Sequence, residues 1–563
     1  MPATTTRTTP SPWLLLSLLA LGVGLLVHVR AWAFTCDDAF ISFRYARNLG
    51  EHGALVYNLD PVEKVEGFTN PLWVVVLALG VLVGLAPEQL APLLTAAASL
   101  TSLVLAAMLS AALRRVPGAR TQPPRIEPID LVAPALLVLV PEYVVWASSG
   151  LETSLATCLA LAAMLAWLRG AIVAAALLAA LTGLTRLDGL FVLASFGLAW
   201  LLVEGLAARR RGSLDLRALP LRRLGLALAL FVGLLGTALL LRRAYYGQWL
   251  PNTWAIKQHG ALLRDSYGVA YLHMWFDRLG LVVALPLLAL ARPRHLLVLA
   301  PLLVQLAWAW SVGGDFMAYS RFLLPATVLA ALAITLSLAR LDELLAARAS
   351  ARASLRARVL VLASLVGLAL VLLALRIPKR IAVDHEHAHI HVDPDDASGP
   401  GFESVRAMDR FARIRLVAGA RLRELVPPDT WISVGAAGAL PYASNLPAFD
   451  AYGLVDPSVL EHAEPDTGPR ARPGHQLHAP LARVLAREPD LMCHIGWDAE
   501  RPPTRADARR RAGPGWAWAC VETGPIADPH GETGTLESRY YCCLRPHDRF
   551  EALDPAGASR WPK

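Results

Sequence analysis

Long apolar runs recur along the first two thirds of this chain, and they constrain its fold more than any other feature. They cover roughly 13–34, 72–86, 91–113, 129–147, 154–168, 171–185, 188–203, 224–242, 280–291, 296–311, 322–340 and 358–376. Each is about 12–23 residues, and most are long enough to cross much or all of a bilayer core. Of the 563 residues, 55% are hydrophobic and only 17% charged. Soluble domains carry more charge than that. The first run, 13–34, is too long for the apolar core of a signal peptide, and no small-residue cleavage site precedes Asp37, so it reads as a membrane span. The chain is therefore expected to be a polytopic α-helical membrane protein.

The net charge of +8 is not a nucleic-acid signature, because most of the arginines lie in short loops between apolar runs. Four such loops are basic: 114–125, 209–223, 292–295 and 340–358. The positive-inside rule assigns them to the cytoplasm. Loops 35–70, 148–153, 243–279 and 312–321 then face outward. The stretch 72–113 must cross an odd number of times, so the short run 72–86, which ends before Pro87, is expected to be interfacial or re-entrant. That leaves about 11 transmembrane helices within residues 1–377.

After Leu375 the composition turns polar and rich in Pro, Gly and Arg. Residues 378–563 are long enough for a core of their own. Residues 431–435 and 448–454 read as strands entering turns, and 402–425 as an amphipathic helix with a basic face. A C-terminal soluble α/β or α+β domain is expected outside the membrane. Four of the six cysteines lie there, Cys493, Cys520, Cys542 and Cys543. Segments 516–520 and 540–544 read as strands, so Cys520 can pair with Cys542 or Cys543, or all four can stay as buried thiols. The tract 384–391 alternates histidines and is expected to be a solvated linker.

The chemistry concentrates in outer loop 35–70. Asp37 and Asp38 follow directly on a span, where carboxylates are costly unless solvated or used. One reading is a helix N-cap. The other is a general base that takes the proton of an attacking hydroxyl. Arg44 and Arg47 follow at helical spacing. Arg186 stands beside Asp188 at a helix end, where a buried guanidinium needs a carboxylate or a phosphate. Asp315 and Arg321 flank the last outer loop of the core. Lys257 sits in a long outer loop suited to covering a headgroup. Glu66 and Glu152 are further outward carboxylates able to hold sugar hydroxyls or a metal. No GxSxG, HExxH, CxxC or complete phosphate-loop motif is present.

These residues carry a resemblance. Asp37-Asp38-Ala39-Phe40-Ile41-Ser42, Gly53-Ala54-Leu55-Val56-Tyr57-Asn58 and Val65-Glu66-Gly67-Phe68-Thr69-Asn70-Pro71-Leu72-Trp73 resemble the GT-C glycosyltransferases, nearest to the mycobacterial terminal arabinofuranosyltransferase branch. Ser149-Gly150-Leu151-Glu152-Thr153, Thr185-Arg186-Leu187-Asp188-Gly189, Leu250-Pro251-Asn252-Thr253, Gly313-Gly314-Asp315-Phe316-Met317 and Gly453-Leu454-Val455-Asp456-Pro457 extend it in order along the chain.

The resemblance implies a membrane transferase that moves a sugar, such as arabinofuranose or another pentose or hexose, from a polyprenyl-phosphate donor. The acceptor would be a cell-envelope glycan, lipid or protein outside the bacterial inner membrane. It implies Asp38 or Asp37 as the base. Arg186, Arg44, Lys257 and Arg321 are candidates for the donor phosphate, and Glu66, Glu152, Asp188, Asp315 and Asn252 for the sugar or acceptor. No ligand cluster in the sequence demands a cofactor, and a divalent cation, Mg or Mn, is compatible. The alternatives are a transporter or flippase of lipid-linked sugars and a non-catalytic glycan-binding membrane protein.

Overall fold

The computed structural model describes residues 12–60, 62–114, 125–211, 220–257, 264–280, 290–348, 353–386, 403–459, 463–465, 475, 477–530, 534–537 and 539–547. The apolar runs become helices α1 (Pro12–Ala31), α3 (Pro71–Leu82), α4 (Pro87–Leu113), α7 (Thr153–Leu168), α8 (Ile172–Thr185), α9 (Gly189–Arg211), α10 (Leu221–Tyr246), α13 (Leu296–Ser311), α14 (Leu324–Arg348) and α15 (Ala353–Glu386). Among the described residues, five helices are long and apolar enough to span a membrane. Their exposed faces are apolar: Leu16, Leu19 and Val23 on α1, and Leu228, Val232 and Leu240 on α10. Water would penalise such a surface, and lipid tails do not. The central helix is α14, whose Leu324, Val328, Leu329 and Leu332 are fully enclosed.

Two segments differ from simple spans. The run expected at 129–147 is a bent pair, α5 (Pro128–Leu139) and α6 (Pro141–Ala147), meeting at 79°. Pro141 is the cause, since proline cannot donate the helix hydrogen bond at the break. The run at 72–86 yields α3 of only 12 residues, about 18 Å long and short of the hydrocarbon thickness. Residues 281–289, in the middle of the expected run 280–291, lie outside the described residues.

Loop helices α2 (Ala39–His52), α11 (Asn252–Lys257) and α12 (Val269–Leu279) sit between the spans. The C-terminal portion opens with α16 (Val405–Leu425) and includes α17 (Ala439–Ser444), α18 (Leu481–Leu485) and α19 (Arg505–Ala512). Its strands are β1 (Ile432–Val434), β2 (Ala448–Asp450), β3 (Glu464–Pro465), β4 (Leu477–His478), β5 (Leu491–Ala499), β6 (Trp516–Glu522), β7 (Ile526–Ala527), β8 (Thr535–Leu536) and β9 (Tyr540–Pro546). The main sheet has the order β2-β1-β5-β9-β6, parallel on the β2-β1-β5 side and antiparallel on the other. Successive side chains of a strand point to opposite faces. Adjacent Cys542 and Cys543 therefore reach opposite ways, and β9 is bonded to both neighbours, Cys520–Cys542 to β6 and Cys493–Cys543 to β5.

The membrane and C-terminal parts share one hydrophobic core. Helix α15 runs past position 377 as far as Glu386, and the Asp384 carboxylate accepts the Val405 and Arg406 amides at the start of α16. Most of the remaining His-rich tract lies outside the described residues. Tyr57 Oη donates to Ala437 O, and Asn58 exchanges two hydrogen bonds with the backbone of Ala448 at the edge of β2. The outer loop after α1 thus extends the C-terminal fold.

Candidate active site

Asp37 and Asp38 leave the backbone in different directions. The turn after α1 is held by the Cys36 amide donating to Ser149 O. Asp37 points into the C-terminal part, where its Oδ1 accepts the Ala439 amide at 3.0 Å. The approach is so close that a Cβ on Gly438 would sit 2.0 Å from Asp37 O. Only glycine fits there. Burial pushes the Asp37 carboxyl up to about 6, against the opposing pull of Arg415 and the Ala439 amide. Asp38 occupies the N-cap position of α2 but makes no capping hydrogen bond. Its side chain is 32% exposed, and its Oδ2 lies 3.9 Å from Arg321 Nη1.

Arg321 is 6% exposed. Its Nε lies 2.7 Å from Asp315 Oδ2, so it stands between two carboxylates. The backbone just before it is unusual. Tyr319 and Ser320 have φ of 51° and 48°, a left-handed conformation costing non-glycine residues about 1–2 kcal/mol each. Surrounding contacts hold it. Trp146 Nε1 donates to Tyr319 O at 3.1 Å, and the Trp32 and Tyr319 rings meet edge to face. This turn aims the Arg321 guanidinium at Asp38.

Arg186 and Arg321 both lie over the Phe322 ring. The two guanidinium carbons are 5.3 and 5.1 Å from the ring centre. Arg186 Nε donates to Asp188 at 2.9 Å and its Nη1 to Glu152 at 3.0 Å. Glu152 also accepts from Asn70 Nδ2 at 2.7 Å, and Asn70 bonds Ser42 on α2. The loops after α1, before α3, before α7, after α8 and before α14 therefore meet in one polar network. It holds Asp38, Arg321, Asp315, Arg186, Glu152 and Asp188 of the residues expected from sequence. Burial of this many charges is tolerable because each faces a partner.

The other expected residues lie elsewhere. Arg44 is fully enclosed, and its donors go to Tyr57 O, Pro441 O, Asn58 Oδ1 and Leu446 O. It locks the seam between the two parts of the chain and is not aimed at a phosphate. Arg47 does the same at the rim, donating to Tyr442 O and Asn445 Oδ1. Glu66 is taken by Arg242 at 2.5 and 3.1 Å rather than facing a sugar. Asn252 Nδ2 donates to Gly453 O and Leu454 O, binding α11 to the loop after β2. Lys257 ends α11, and its side chain lies outside the described residues. Among the described residues no group of three or more His, Cys, Asp or Glu is arranged to hold a metal ion.

Sequence reasoning missed Arg242, Asn70, Trp146 and Phe322 as members of these networks. Asn70 and Trp146 stand in or beside quoted motifs. Arg242 carries no local signal, being one arginine of an adjacent pair at the end of an apolar helix.

The whole chain superposes on a known architecture. ArnT from Cupriavidus metallidurans bound to undecaprenyl phosphate matches with a TM-score of 0.54, covering 95% of this chain and 98% of that one at 14% identity. The same protein in its apo state matches with a TM-score of 0.54 at 13% identity, covering 94% of this chain and 97% of that one. The chain has the GT-C fold. Residues 405–527 match a family model described as a domain of unknown function (DUF8728). That stretch runs from the start of α16 to the end of β7. No curated protein matches the chain. The GT-C architecture accounts for both parts, the bundle and the strand-containing cap that closes over its loops.

Proposed function

We propose that this protein is a membrane glycosyltransferase that takes a sugar from a polyprenyl-phosphate donor, with Asp38 as its general base. The observation carrying this reading is the contrast between the paired aspartates. Asp37 is spent on the Ala439 amide, whereas Asp38 is part-exposed, uncapped and next to the Arg321–Asp315 pair. The lipid-phosphate donor is supported by the shared fold with ArnT, whose crystal structure is bound to undecaprenyl phosphate.

The acceptor hydroxyl gives its proton to Asp38 as its oxygen bonds the anomeric carbon. The bond from that carbon to the phosphate oxygen breaks, and the polyprenyl phosphate leaves with the electron pair. Arg321 Nη2 has no protein acceptor among the described residues, and Arg186 keeps uncommitted donors on its two terminal nitrogens. These N–H groups meet the charge that builds on the leaving phosphate. No protein nucleophile is involved, so the anomeric configuration inverts. Asp315, Glu152 and Asp188 hold the two guanidinium groups in place before the reaction starts. Lys257, the last residue of α11, stays a candidate for the donor phosphate on its sequence position alone.

The reacting loops face outward in this reading. Two disulfides in the C-terminal part fit an oxidising compartment, and Arg114, Arg210, Arg292 and Arg340, at the described edges of the four basic loops, line one cavity away from Asp38. The acceptor is then a cell-envelope glycan, lipid or protein, and the sugar a pentose such as arabinofuranose or a hexose.

The test is transfer by purified protein from a panel of polyprenyl-phosphate sugars, with Asp38→Asn and Asp37→Asn alongside. Transfer from one donor, lost in Asp38→Asn and kept in Asp37→Asn, is expected. Undiminished transfer by Asp38→Asn overturns the base assignment. No transfer from any donor, with translocation of a lipid-linked sugar in vesicles, favours a flippase. Chelation in the same assay tests Mg or Mn as an added counterion to the leaving phosphate.

A further inference from the structure

A cavity of about 400 Å3 lies far from Asp38, where the ends of α4, α9 and α14 meet the entry to α13. Its position follows from the helices. Gly189 and Leu324 start α9 and α14 beside the Arg186–Arg321 network, while Leu206 and Arg340 line the cavity some sixteen or seventeen residues further on. At 1.5 Å per residue that is about 25 Å, close to the thickness of the hydrocarbon core. The cavity therefore opens at the opposite membrane face.

Its walls have two chemistries. Leu113, Val203, Leu206 and Leu336 are its apolar lining, and Leu206 is exposed on α9. Much of the rest of the lining is cationic. Arg114 is answered by Asp130 at 2.7 Å and Glu127 at 3.3 Å. Arg292 and Arg340 share a single carboxylate, Glu343, at 2.7 and 3.0 Å. Arg294 has Glu204 as its charged neighbour. Arg210, from the end of α9, has no carboxylate partner among the described residues. The lining thus carries an excess of positive charge from four separate segments, brought together beside apolar side chains that include the exposed Leu206. Basic loops alone would satisfy the orientation rule, and nothing in that rule requires them to converge on one cavity.

We infer that this cavity binds the phosphate of an anionic phospholipid from the leaflet opposite Asp38, with an acyl chain lying along Leu206 and Val203. Arg210 and Arg294 face the phosphate, and the shared Arg292–Glu343–Arg340 cluster closes the headgroup end. A free phosphate ion offers the same charge but has no use for the apolar wall.

The test is native mass spectrometry of the full-length protein titrated with phosphatidylglycerol, with phosphatidylcholine as the zwitterionic reference. A paired Arg210→Ala/Arg294→Ala variant removes two phosphate contacts. At about 1 kcal/mol per arginine this weakens phosphatidylglycerol binding about thirtyfold. Arg210→Ala alone, at an exposed and unpaired position with little bearing on folding, weakens it about fivefold. Arg222→Ala/Arg223→Ala, at the exposed start of α10, changes the net charge equally without touching the cavity and leaves binding within about twofold. Equal losses in the two double variants would mean diffuse surface attraction and overturn the site. Displacement of the lipid by inorganic phosphate at equal concentration would make it a soluble-anion site and also overturn the proposal.

Discussion

Arg321 Nη1 lies 3.9 Å from Asp38 Oδ2, although the two residues stand at opposite ends of the membrane part of the sequence. The left-handed turn at Tyr319 and Ser320 precedes Arg321, and Asp315 Oδ2 lies 2.7 Å from its Nε. The Arg321–Asp38 distance leaves room for Asp38 to turn toward a hydroxyl without losing its counter-charge.

Arg321→Lys tests the guanidinium. Lysine keeps the charge but is a point cation that cannot reach Asp315 and a phosphate together. Transfer is expected to fall by about a hundredfold or more, the scale of losing a preorganised donor. The melting temperature is expected to change little. Wild-type kcat with a raised KM would instead mark Arg321 as a ground-state binding residue.

Arg186→Met tests the buried network. It leaves Glu152 and Asp188 facing each other without their cation, and breaking a buried pair in this way costs about 3–5 kcal/mol. A lower melting temperature is expected. The triple variant Arg186→Met, Glu152→Gln, Asp188→Asn is expected to recover much of the loss while remaining inactive. Additive losses across the series would show that the three residues act independently.

Asp37 predicts a pH dependence. Its carboxyl is raised to about 6 from an ordinary value of 3.8. A raised acid is easier to ionise in the unfolded chain than in the folded one, so its penalty grows as pH rises from about 4 through 6 and then levels off. Stability is expected to fall over that window, by an amount on the order of 2 kcal/mol from this group. Asp450, pushed up to about 7 by burial, adds a similar slope slightly higher. Melting temperatures at pH 5, 6 and 7 are the measurement. Asp37→Asn is expected to flatten the lower part of the curve and leave the part due to Asp450, and an unchanged curve would contradict the buried, ionised placement.

The disulfides predict a stability difference. Closing loops with sequence separations of 22 and 50 is worth roughly 3 and 4 kcal/mol respectively on the chain-entropy account. Paired Cys520→Ser/Cys542→Ser and Cys493→Ser/Cys543→Ser variants are each expected to unfold at lower denaturant concentration, the second pair more so. Tris-phosphine reduction of the wild type should approach the doubly substituted protein. No response to reductant would mean that the four thiols are free.

Several parts of the sequence reading rested on local periodicity, and these carried over well. The strands at 516–520 and 540–544 are real, and Cys520 and Cys542 lie directly opposite each other in the β6/β9 register. The amphipathic stretch 402–425 became α16. Arg186 found Asp188, one of its two expected kinds of partner, and Asp315 was placed to orient Arg321. The run 129–147 read as one span because apolar composition hides a proline break, and its 79° bend was not foreseen. Arg44 looked like a phosphate ligand because its true partners, the carbonyls of Pro441 and Leu446, lie about four hundred residues away.

Apolar length and period by themselves determined that this chain builds a bundle of membrane-spanning helices with a strand-bearing C-terminal part, because burial and backbone satisfaction in lipid act locally along the chain. They also marked the loops that carry the polar chemistry. Only the tertiary structure decided between the two aspartates. Adjacent residues with the same side chain are equivalent in any local reading. Asp37 became a docking contact and Asp38 the open carboxylate because Gly438 approaches one of them and Arg321 faces the other.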